Sequence, residues 1–396
     1  MTSLMRRWAP RSLSPGASAH LDAIRAGAAL VVMMDHLRAL FFVDYLQLRQ
    51  PPWFLKSIYF LTGFGHQAVM VFFVLSGFLI SATIIKGYET ATWSWRDYAI
   101  NRSVRLYIVL IPALLLGGFC DVLGSTAFAS SGLYTHPLSG LGPGIAAANL
   151  SVGTLLCNAL FLQTVACHTL GSNGPLWSLS NEFWYYVLFP LALSATLAWA
   201  RRAVRVGILL TLASLCLAWL LGLGMLIGFL VWMSGCVLVF AYSRVRLRKE
   251  AILLAYALAS FCILGVCLVA ARTSLGGALG SDLSVGIAFA LILFAVLQIE
   301  RGANIPLYVR AAHQFAGFSY SLYLLHFPLL LLLRAWIVPA QRWQPDAPHL
   351  LFGMALGTLT LTYAWAISLF TERKTQVLRR WVRSLTWVLA YRPSDS

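Results

Sequence analysis

The sequence contains few charged residues. Asp, Glu, Lys and Arg together make up 11% of its 396 residues, whereas 60% of the residues are apolar and 13% are aromatic. A water-soluble chain of this length carries about 25% charged residues. The composition therefore excludes a soluble globular protein and indicates a polytopic membrane protein.

Acidic residues are scarcer than basic ones, with 13 Asp and Glu against 29 Lys and Arg, and the net charge is +16. An excess of this kind can indicate a nucleic-acid partner. Here the basic residues fall in short clusters beside long apolar runs, where they act as cytoplasmic anchors. We therefore expect no nucleic-acid binding. Lysine occurs only four times, and this arginine-rich usage, without a sorting signal, fits a bacterial inner membrane.

The seven cysteines show neither a Cys-x-x-Cys motif nor a histidine partner at metal-ligand spacing. This pattern predicts no metal site. Most of the cysteines lie in apolar runs, where they serve as small buried hydrophobic residues. Cys157 and Cys167 both lie in the segment 119–176, which is expected outside the membrane, and they can form a disulfide in an oxidising compartment. The sequence alone leaves that pairing open.

The apolar runs predict ten membrane-spanning helices of about 20 residues each. The run from 203 to 243 is too long for one crossing, and the turn-forming LGLG at 221–224 divides it into two. The sequence thus predicts an all-α transmembrane bundle of 10 or 11 spans. The ten spans are 26–43, 66–86, 104–120, 177–199, 204–221, 224–242, 251–271, 284–299, 315–337 and 349–370.

The positions of the basic residues predict the sidedness of the chain, because Lys and Arg accumulate in short cytoplasmic loops. Arg6, Arg7 and Arg11 place the N-terminus in the cytoplasm, and the alternation of the later loops places the C-terminus there too. The outer segment 119–176 has no Lys or Arg. Its moderately apolar part, 145–165, must not cross, or every later loop would be inverted. We expect a re-entrant or surface-lying helix there.

No internal repeat divides the chain. No apolar region precedes Ala17-Ser18-Ala19, so we expect the first span to be retained and not cleaved as a signal peptide. The predicted organisation is a basic cytoplasmic N-terminal segment (1–20), one transmembrane domain (21–371) and a basic cytoplasmic tail (372–396). The tail has an apolar stripe typical of an interfacial helix, although a frayed basic tail fits it as well.

The first span carries ionisable residues. Arg25 and His36 are eleven positions apart, which puts them about 20° apart on a helix and about 16 Å apart along its axis. Asp22 can pair with Arg25 one turn away. A charged group at mid-membrane depth costs about 3 kcal/mol, so such groups usually face a bundle interior or a wet cavity. His36 is therefore a candidate catalytic base, the simpler alternative being a hydrogen bond to a neighbouring helix.

Four further segments strengthen this interpretation. Together with the Arg25-x10-His36 pair, they resemble motifs of the acyltransferase 3 family of integral-membrane enzymes, in family order and over most of the chain. The segments are HQAVMVFFVLSGFLIS (66–81), NRSVRLYIVLIPALLL (101–116), GPLWSLSNEFWYYVLFPL (174–191) and FAGFSYSLYLLHFPLLLL (315–332).

The resemblance departs from the family pattern at a few positions. Ala68 and Met70 stand where a glycine and an acidic residue are expected, Asn101 replaces a common arginine, and a proline is displaced to Pro112. Asp35, immediately before His36, is also unusual, and the sequence leaves open whether it tunes His36 or faces a different helix. Within the second motif, Ser76-Gly77 is expected to permit close helix approach.

The resemblance implies an acyl-CoA donor in the cytoplasm, by default acetyl-CoA, and a carbohydrate acceptor outside, such as lipopolysaccharide O-antigen or exopolysaccharide. The predicted activity is O-acyl transfer, most simply O-acetyl transfer. By predicted sidedness, Arg25, Arg102 and Arg105 lie near the inner end of the bundle, and guanidinium groups suit the phosphates of coenzyme A. These three arginines are the predicted donor-binding residues.

The predicted catalytic residues are His36, Glu182 and His326. A neutral, desolvated His36 can accept a proton from an alcohol or carry the acyl group transiently, and the sequence does not choose between these. Glu182 and His326 are expected to orient the imidazole or the acceptor. A transporter or flippase of a lipid-linked sugar is the main alternative, and a noncatalytic membrane scaffold is another.

Overall fold

The computed structural model describes residues 11–49, 51–135, 149–272, 277–299, 305–338 and 341–390, with only the backbone described for 277–279 and 386–390. Three short 3-10 turns accompany the helices. The helices, in chain order, are α1 (Pro15–Phe41), α2 (Trp53–Leu61), α3 (Gly65–Glu89), α4 (Trp95–Ala127), α5 (Val152–Ala159), α6 (Leu176–Ala200), α7 (Val204–Arg244), α8 (Glu250–Arg272), α9 (Gly277–Gln298), α10 (Pro306–Ala316), α11 (Ser319–Ile337), α12 (Ala347–Phe370) and α13 (Thr375–Ala390).

The predicted all-α bundle is confirmed. Within the described ranges there is no β-strand, and 9 helices are long and apolar enough to cross a membrane. They account for the ten predicted spans because 204–221 and 224–242 both lie in α7, which is interrupted at Gly222 (φ 74°, ψ 171°). The glycine allows this left-handed conformation in the predicted turn. The sidedness stays a prediction, and we call the end where α1 begins the inner end and the opposite end the outer end.

Helix α1 begins earlier than the predicted span 26–43. It starts at Pro15, inside the predicted N-terminal segment 1–20, and the Oγ of Ser14 caps it by accepting a hydrogen bond from the backbone N of Ala17 at 3.1 Å. The hydropathy pattern ends where polar residues such as Asp22 occur, whereas backbone hydrogen bonding continues through them. A proline at the first helical position also favours this start.

In the described part of 145–165 the structure agrees with the prediction that this piece does not cross the membrane, and its re-entrant or surface-lying position stays a prediction. Helix α5 has 8 residues, and at 1.5 Å per residue it is too short to cross a hydrocarbon core of about 30 Å. Residues 145–148 lie outside the described residues. In the structure, Cys157 near the end of α5 forms a disulfide bond with Cys167. The pairing that the sequence left open is therefore present in the folded chain.

Glycines bring α3 and α7 into close contact, as expected for Ser76-Gly77. A Cβ atom on Gly77 would overlap the backbone carbonyl oxygen of Trp232, and one on Gly235 would overlap the carbonyl oxygen of Val74. The two backbones therefore touch at these points, which is how small residues stabilise membrane helix pairs. By contrast, Ser260 is the only buried residue recorded in α8, which places this helix at the periphery, facing lipid.

Two arginines hold the outer end of α1. The buried Arg334 donates from Nε to the carbonyl oxygen of Leu40 at 2.8 Å, and Arg342 donates to that of Ala39 at 3.2 Å. Cations suit the C-terminal carbonyls of a helix. Arg342 also pairs with Asp44 at 2.6 Å, and this hydrogen bond holds the pKa of the Asp44 carboxyl below its usual range. The outer turns of α1, which carry His36, are thereby fixed.

Candidate active site

Four of the six predicted site residues line one cavity, which we call the arginine cavity. It has a volume of about 150 Å³ and lies between α3, α4, α6 and α11, with Arg25 of α1 at its inner end. Arg102, Arg105 and Glu182 line it as well. Arg25 pairs with Asp22 at 2.8 Å, as the i, i+3 spacing predicted. The three predicted donor-binding arginines are therefore neighbours in space although they come from two helices.

Glu182 belongs to the middle of this cavity. Tyr186, one turn further along α6, donates a hydrogen bond to its carboxylate. The hydroxyl of Ser76 lies 3.2 Å from the Tyr186 hydroxyl and accepts from Trp232 at 3.2 Å. Arg102 lies over the Tyr186 ring, 5.9 Å from its centroid. A carboxylate in the membrane is costly unless paired, and this network together with the arginines supplies its partners.

The two predicted histidines form a pair. Nδ1 of His36 lies 2.7 Å from Nε2 of His326, and the two ring planes are nearly parallel, at 19°, with their centroids 5.0 Å apart. The other nitrogen of His326, Nδ1, lies 2.9 Å from the carbonyl oxygen of Leu322. His326 has no solvent exposure, so its second nitrogen is held by the backbone of its own helix, α11.

This geometry fixes the tautomer of both rings when they are neutral. A carbonyl oxygen only accepts hydrogen bonds, so the proton of His326 is on Nδ1 and its Nε2 is an acceptor. His36 therefore donates its Nδ1 proton to Nε2 of His326, and the lone pair of His36 is on its own Nε2. The carbonyl of Leu322 and His326 together orient His36, as the second and third members of a catalytic triad orient a base.

The free nitrogen of His36 is accessible. Nε2 has no hydrogen-bond partner among the residues that the structure describes, and it is not one of the buried polar atoms that lack a partner. The residue as a whole is partly exposed. The edge of Phe327 packs against the ring, with the centroids 5.0 Å apart. The arrangement thus leaves a basic nitrogen without a protein partner, on a ring that is held on two sides.

The histidine pair does not line the arginine cavity itself. Neither imidazole is among the residues that form the cavity wall, all of which lie in described ranges. Tyr323 connects the two, because it lines the cavity and its ring centroid is 6.3 Å from that of His326. The Tyr323 hydroxyl lies 2.6 Å from Oγ of Ser178, another wall residue. The face of α1 that carries Arg25 and His36 therefore lines the arginine cavity at Arg25. Its other end, at His36, lies outside the cavity wall and is linked to it through His326 and Tyr323.

Asp35 faces away from the pair. It forms an ion pair with Arg38 at 2.9 Å, and its carboxylate packs against Gly65, the first residue of α3. A Cβ atom at that glycine would overlap the carboxylate. Of the two roles that the sequence left open for Asp35, tuning His36 or facing another helix, the contacts favour the second.

A second, larger space adjoins the arginine cavity at the inner end, and we call it the vestibule. It has a volume of about 550 Å³ and shares Arg25, Arg105 and Tyr320 with the cavity. Glu372 and Arg379 are among its other lining residues. The sequence did not indicate these two, because they lie in a tail whose basic residues have the usual composition of a cytoplasmic anchor.

Comparison with known families agrees with this architecture. The acyltransferase 3 family model, described as an acyltransferase domain, matches residues 18–369, which is most of the chain. The arginine cavity and the histidine pair lie within the matched residues, whereas the last helix, α13, lies beyond them. The family match and the apolar helices together indicate a membrane acyltransferase.

The chain belongs to the acyltransferase 3 family. Comparisons with curated proteins and with solved structures found no match. Across the described residues, no group of three or more His, Cys, Asp or Glu side chains could hold a metal ion.

Proposed function

We propose that the protein transfers an acyl group, most simply acetyl, from acyl-CoA bound at the inner end to a hydroxyl of a carbohydrate acceptor at the outer end. The observation that carries this proposal is the free Nε2 of His36, on a ring oriented by His326, which neighbours Tyr323 in the wall of the arginine cavity. A lipopolysaccharide O-antigen or an exopolysaccharide of the bacterial envelope is the acceptor class that the family favours. The inner membrane is the corresponding location.

Arg25, Arg102 and Arg105 hold the donor. Each guanidinium group offers several N–H donors in a plane, which suits the non-bridging oxygens of a phosphate. The arginine cavity leads from these groups along α3, α6 and α11 toward Tyr323. A narrow cavity with mainly apolar walls suits the pantetheine arm, and its inner arginines suit the charged end of the donor.

Transfer proceeds at His36. Nε2 accepts the proton of the acceptor hydroxyl while the oxygen attacks the thioester carbonyl, so that a C–O bond forms and a tetrahedral intermediate appears. The intermediate collapses with cleavage of the C–S bond, and the coenzyme A thiolate takes the proton from His36. The hydrogen bond from Nδ1 to His326 strengthens while His36 is charged, which stabilises the charged imidazole at the moment it forms.

An alternative route uses the same atoms in two steps. Nε2 attacks the thioester first, which releases coenzyme A and gives an acyl-imidazole, and the acceptor hydroxyl then takes the acyl group. In both routes the acyl group must pass Tyr323, whose hydroxyl forms a hydrogen bond of 2.6 Å with Oγ of Ser178. Burst kinetics with excess acyl-CoA and no acceptor would reveal the two-step route, because only that route releases coenzyme A without an acceptor.

Replacement of His36 by alanine tests the proposal. We expect the His36→Ala protein to insert and fold normally but to lose transfer by roughly 10²- to 10⁴-fold, the usual contribution of a general base. The measurement is the ester-linked acyl content of envelope glycans in a deletion strain complemented with each variant, together with transfer of labelled acyl groups by purified protein.

His349 provides a matched control, since it is a partly exposed outer histidine paired with Asp346 at 2.6 Å. The His349→Ala variant is expected to keep normal acylation. Normal acylation with His36→Ala would disprove the assignment of the base. Binding of sugar without any consumption of acyl-CoA by wild-type protein would instead favour the transporter alternative.

A further inference from the structure

The vestibule has a strong excess of positive charge. Among the residues that the structure describes, four guanidinium groups, those of Arg25, Arg105, Arg373 and Arg379, line it, against the single carboxylate of Glu372. Two of the arginines come from the transmembrane helices α1 and α4, and the other two from the C-terminal segment that follows α12. A space of about 550 Å³ with this lining suits a ligand that carries several negative charges.

The one carboxylate of the vestibule already has partners. Glu372 accepts hydrogen bonds from the backbone N of Ser321 at 3.1 Å and from its hydroxyl at 3.2 Å. Ser321 is in the first turn of α11, so the carboxylate caps the positive end of that helix. Glu372 is therefore occupied in holding the C-terminal segment to the bundle, and it does not form a close ion pair with Arg379.

Arg379 lies in an unfavourable position for a cation. Arg102, Arg105 and Arg383 are all close enough to repel its charge. It forms no ion pair with any residue of the described ranges, and its Nε is buried without a hydrogen-bond partner. Like charges brought together at the edge of a low-dielectric region cost free energy, and a bound anion would offset this cost.

The turn of α13 that follows Arg379 attaches this C-terminal helix to α4. Arg383 contacts the carboxylate of Asp97 at 3.2 Å and the amide oxygen of Asn101 at 3.3 Å, and both partners lie at the start of α4. The same helix carries Arg102 and Arg105. The attachment of α13 to α4 therefore brings Arg379 close to the predicted donor-binding arginines.

We propose that the C-terminal segment completes the donor site, with Arg373 and Arg379 binding phosphate groups of the nucleotide end of acyl-CoA in the vestibule. This inference rests on the proposed function. Coenzyme A carries a diphosphate and a 3′-phosphate at one end and the uncharged pantetheine arm at the other. Because the vestibule and the arginine cavity share Arg25, Arg105 and Tyr320, one ligand can extend its arm into the cavity while its phosphates remain in the vestibule.

A phosphate group could also come from an anionic lipid. The apolar face of α13, formed by Val377, Trp381 and Leu385, is exposed, which is typical of a helix at a bilayer surface. Lipid headgroups would therefore be near the vestibule. The continuity with the narrow cavity favours the nucleotide, and the experiment has to separate the two sources.

The test compares two double variants in full-length protein reconstituted in nanodiscs. One variant, Arg373→Ala with Arg379→Ala, removes the vestibule arginines. The matched control, Lys374→Ala with Arg380→Ala, removes the same charge from two exposed side chains of the same segment that do not line the vestibule. Binding of acetyl-CoA and of S-acetylpantetheine, which lacks all phosphates, is measured by calorimetry.

We expect the first variant to bind acetyl-CoA roughly 10- to 100-fold more weakly, as the loss of charge-assisted hydrogen bonds implies. The control is expected to stay within about threefold of the wild type. The wild type and the control should prefer acetyl-CoA over S-acetylpantetheine by a wide margin, and the first variant should lose most of this preference. If the first variant does not fold, the single variants Arg373→Gln and Arg379→Gln replace it, each with an expected loss of about 5- to 20-fold.

Two results would overturn this inference. One is an unchanged affinity of the Arg373→Ala, Arg379→Ala protein for acetyl-CoA. The other is a loss that occurs in nanodiscs containing phosphatidylglycerol but not in those of phosphatidylcholine alone, since that would identify a lipid headgroup as the ligand. Both would leave the donor assignment of the transmembrane arginines intact. If the wild-type protein binds no acetyl-CoA at all, the proposed function itself fails.

Discussion

The substitution His326→Phe examines whether the second imidazole orients the first. Phenylalanine retains a flat ring in a site with no solvent exposure, so the packing between α1 and α11 is largely kept. Both nitrogens are lost, however. The Nδ1–H of His36, which donates to His326 at 2.7 Å, is left without an acceptor, and the ring of His36 is then free to turn or to move its proton to Nε2.

The size of the effect follows from the lost hydrogen bond. An unpartnered buried donor costs about 1–3 kcal/mol, and the tautomer with the proton on Nε2 avoids this cost only by removing the lone pair that acts as base. If the whole cost appears in the transition state, kcat falls roughly 5- to 150-fold. The KM for acyl-CoA is expected to stay constant, since the arginine cavity is unchanged and His326 does not line it.

The assay is transfer of labelled acyl groups by the purified protein, with kcat and KM determined separately. The nitrogen-15 NMR signals of His36 provide a second readout, because they distinguish the two tautomers directly. Phe327→Leu is the packing control, since Phe327 is buried against the His36 ring without a hydrogen bond to it. The Phe327→Leu substitution should lower the free energy of unfolding and have little effect on the tautomer of His36. A His326→Phe enzyme with wild-type kcat, or one with reduced kcat but an unchanged His36 tautomer, would refute the conclusion that His326 orients His36.

Two further substitutions test the donor site and the helix packing. Arg102→Ala should raise the KM for acyl-CoA about tenfold or more, with a smaller effect on kcat. The control is Arg96→Ala, which removes an exposed arginine at the start of the same helix and should change neither KM nor kcat. Equal effects of the two substitutions would contradict a specific donor site. Gly77→Ala should lower the free energy of unfolding by about 1–3 kcal/mol, because the new Cβ overlaps the Trp232 carbonyl. The control, Gly265→Ala, should be neutral or stabilising, because a Cβ there meets no atom within 4 Å. Thermal unfolding in detergent measures the stability of both variants.

The spans could be predicted from the sequence because the membrane imposes a simple rule. Each crossing requires about 20 mainly apolar residues with internally satisfied backbone groups, and the runs of this chain meet that rule, including the break at Gly222. The start of α1 at Pro15 was less predictable. Hydropathy reports where lipid can contact the chain, whereas a helix continues wherever its backbone hydrogen bonds and its cap allow.

The residue types of the site were also visible in the sequence. Ionisable residues are rare within apolar runs because their burial is costly, so His36, His326 and Glu182 stand out in the sequence. The proximity of Arg25 to Arg102 and Arg105 followed less directly, from the predicted sidedness alone. These inferences combined the local cost of placing a polar group in hydrocarbon with the predicted sidedness and the family resemblance.

Sequence by itself thus determined the class of fold, its spans and the polar residues that the membrane interior must accommodate, since all of these depend on short-range composition and periodicity. Only the tertiary structure decided which of those residues meet. His36 pairs with a residue 290 positions away, Tyr323 links this pair to the wall of the arginine cavity, and a C-terminal arginine joins the inner vestibule. All three depend on how helices distant in sequence pack together, for which no local pattern provides a signal.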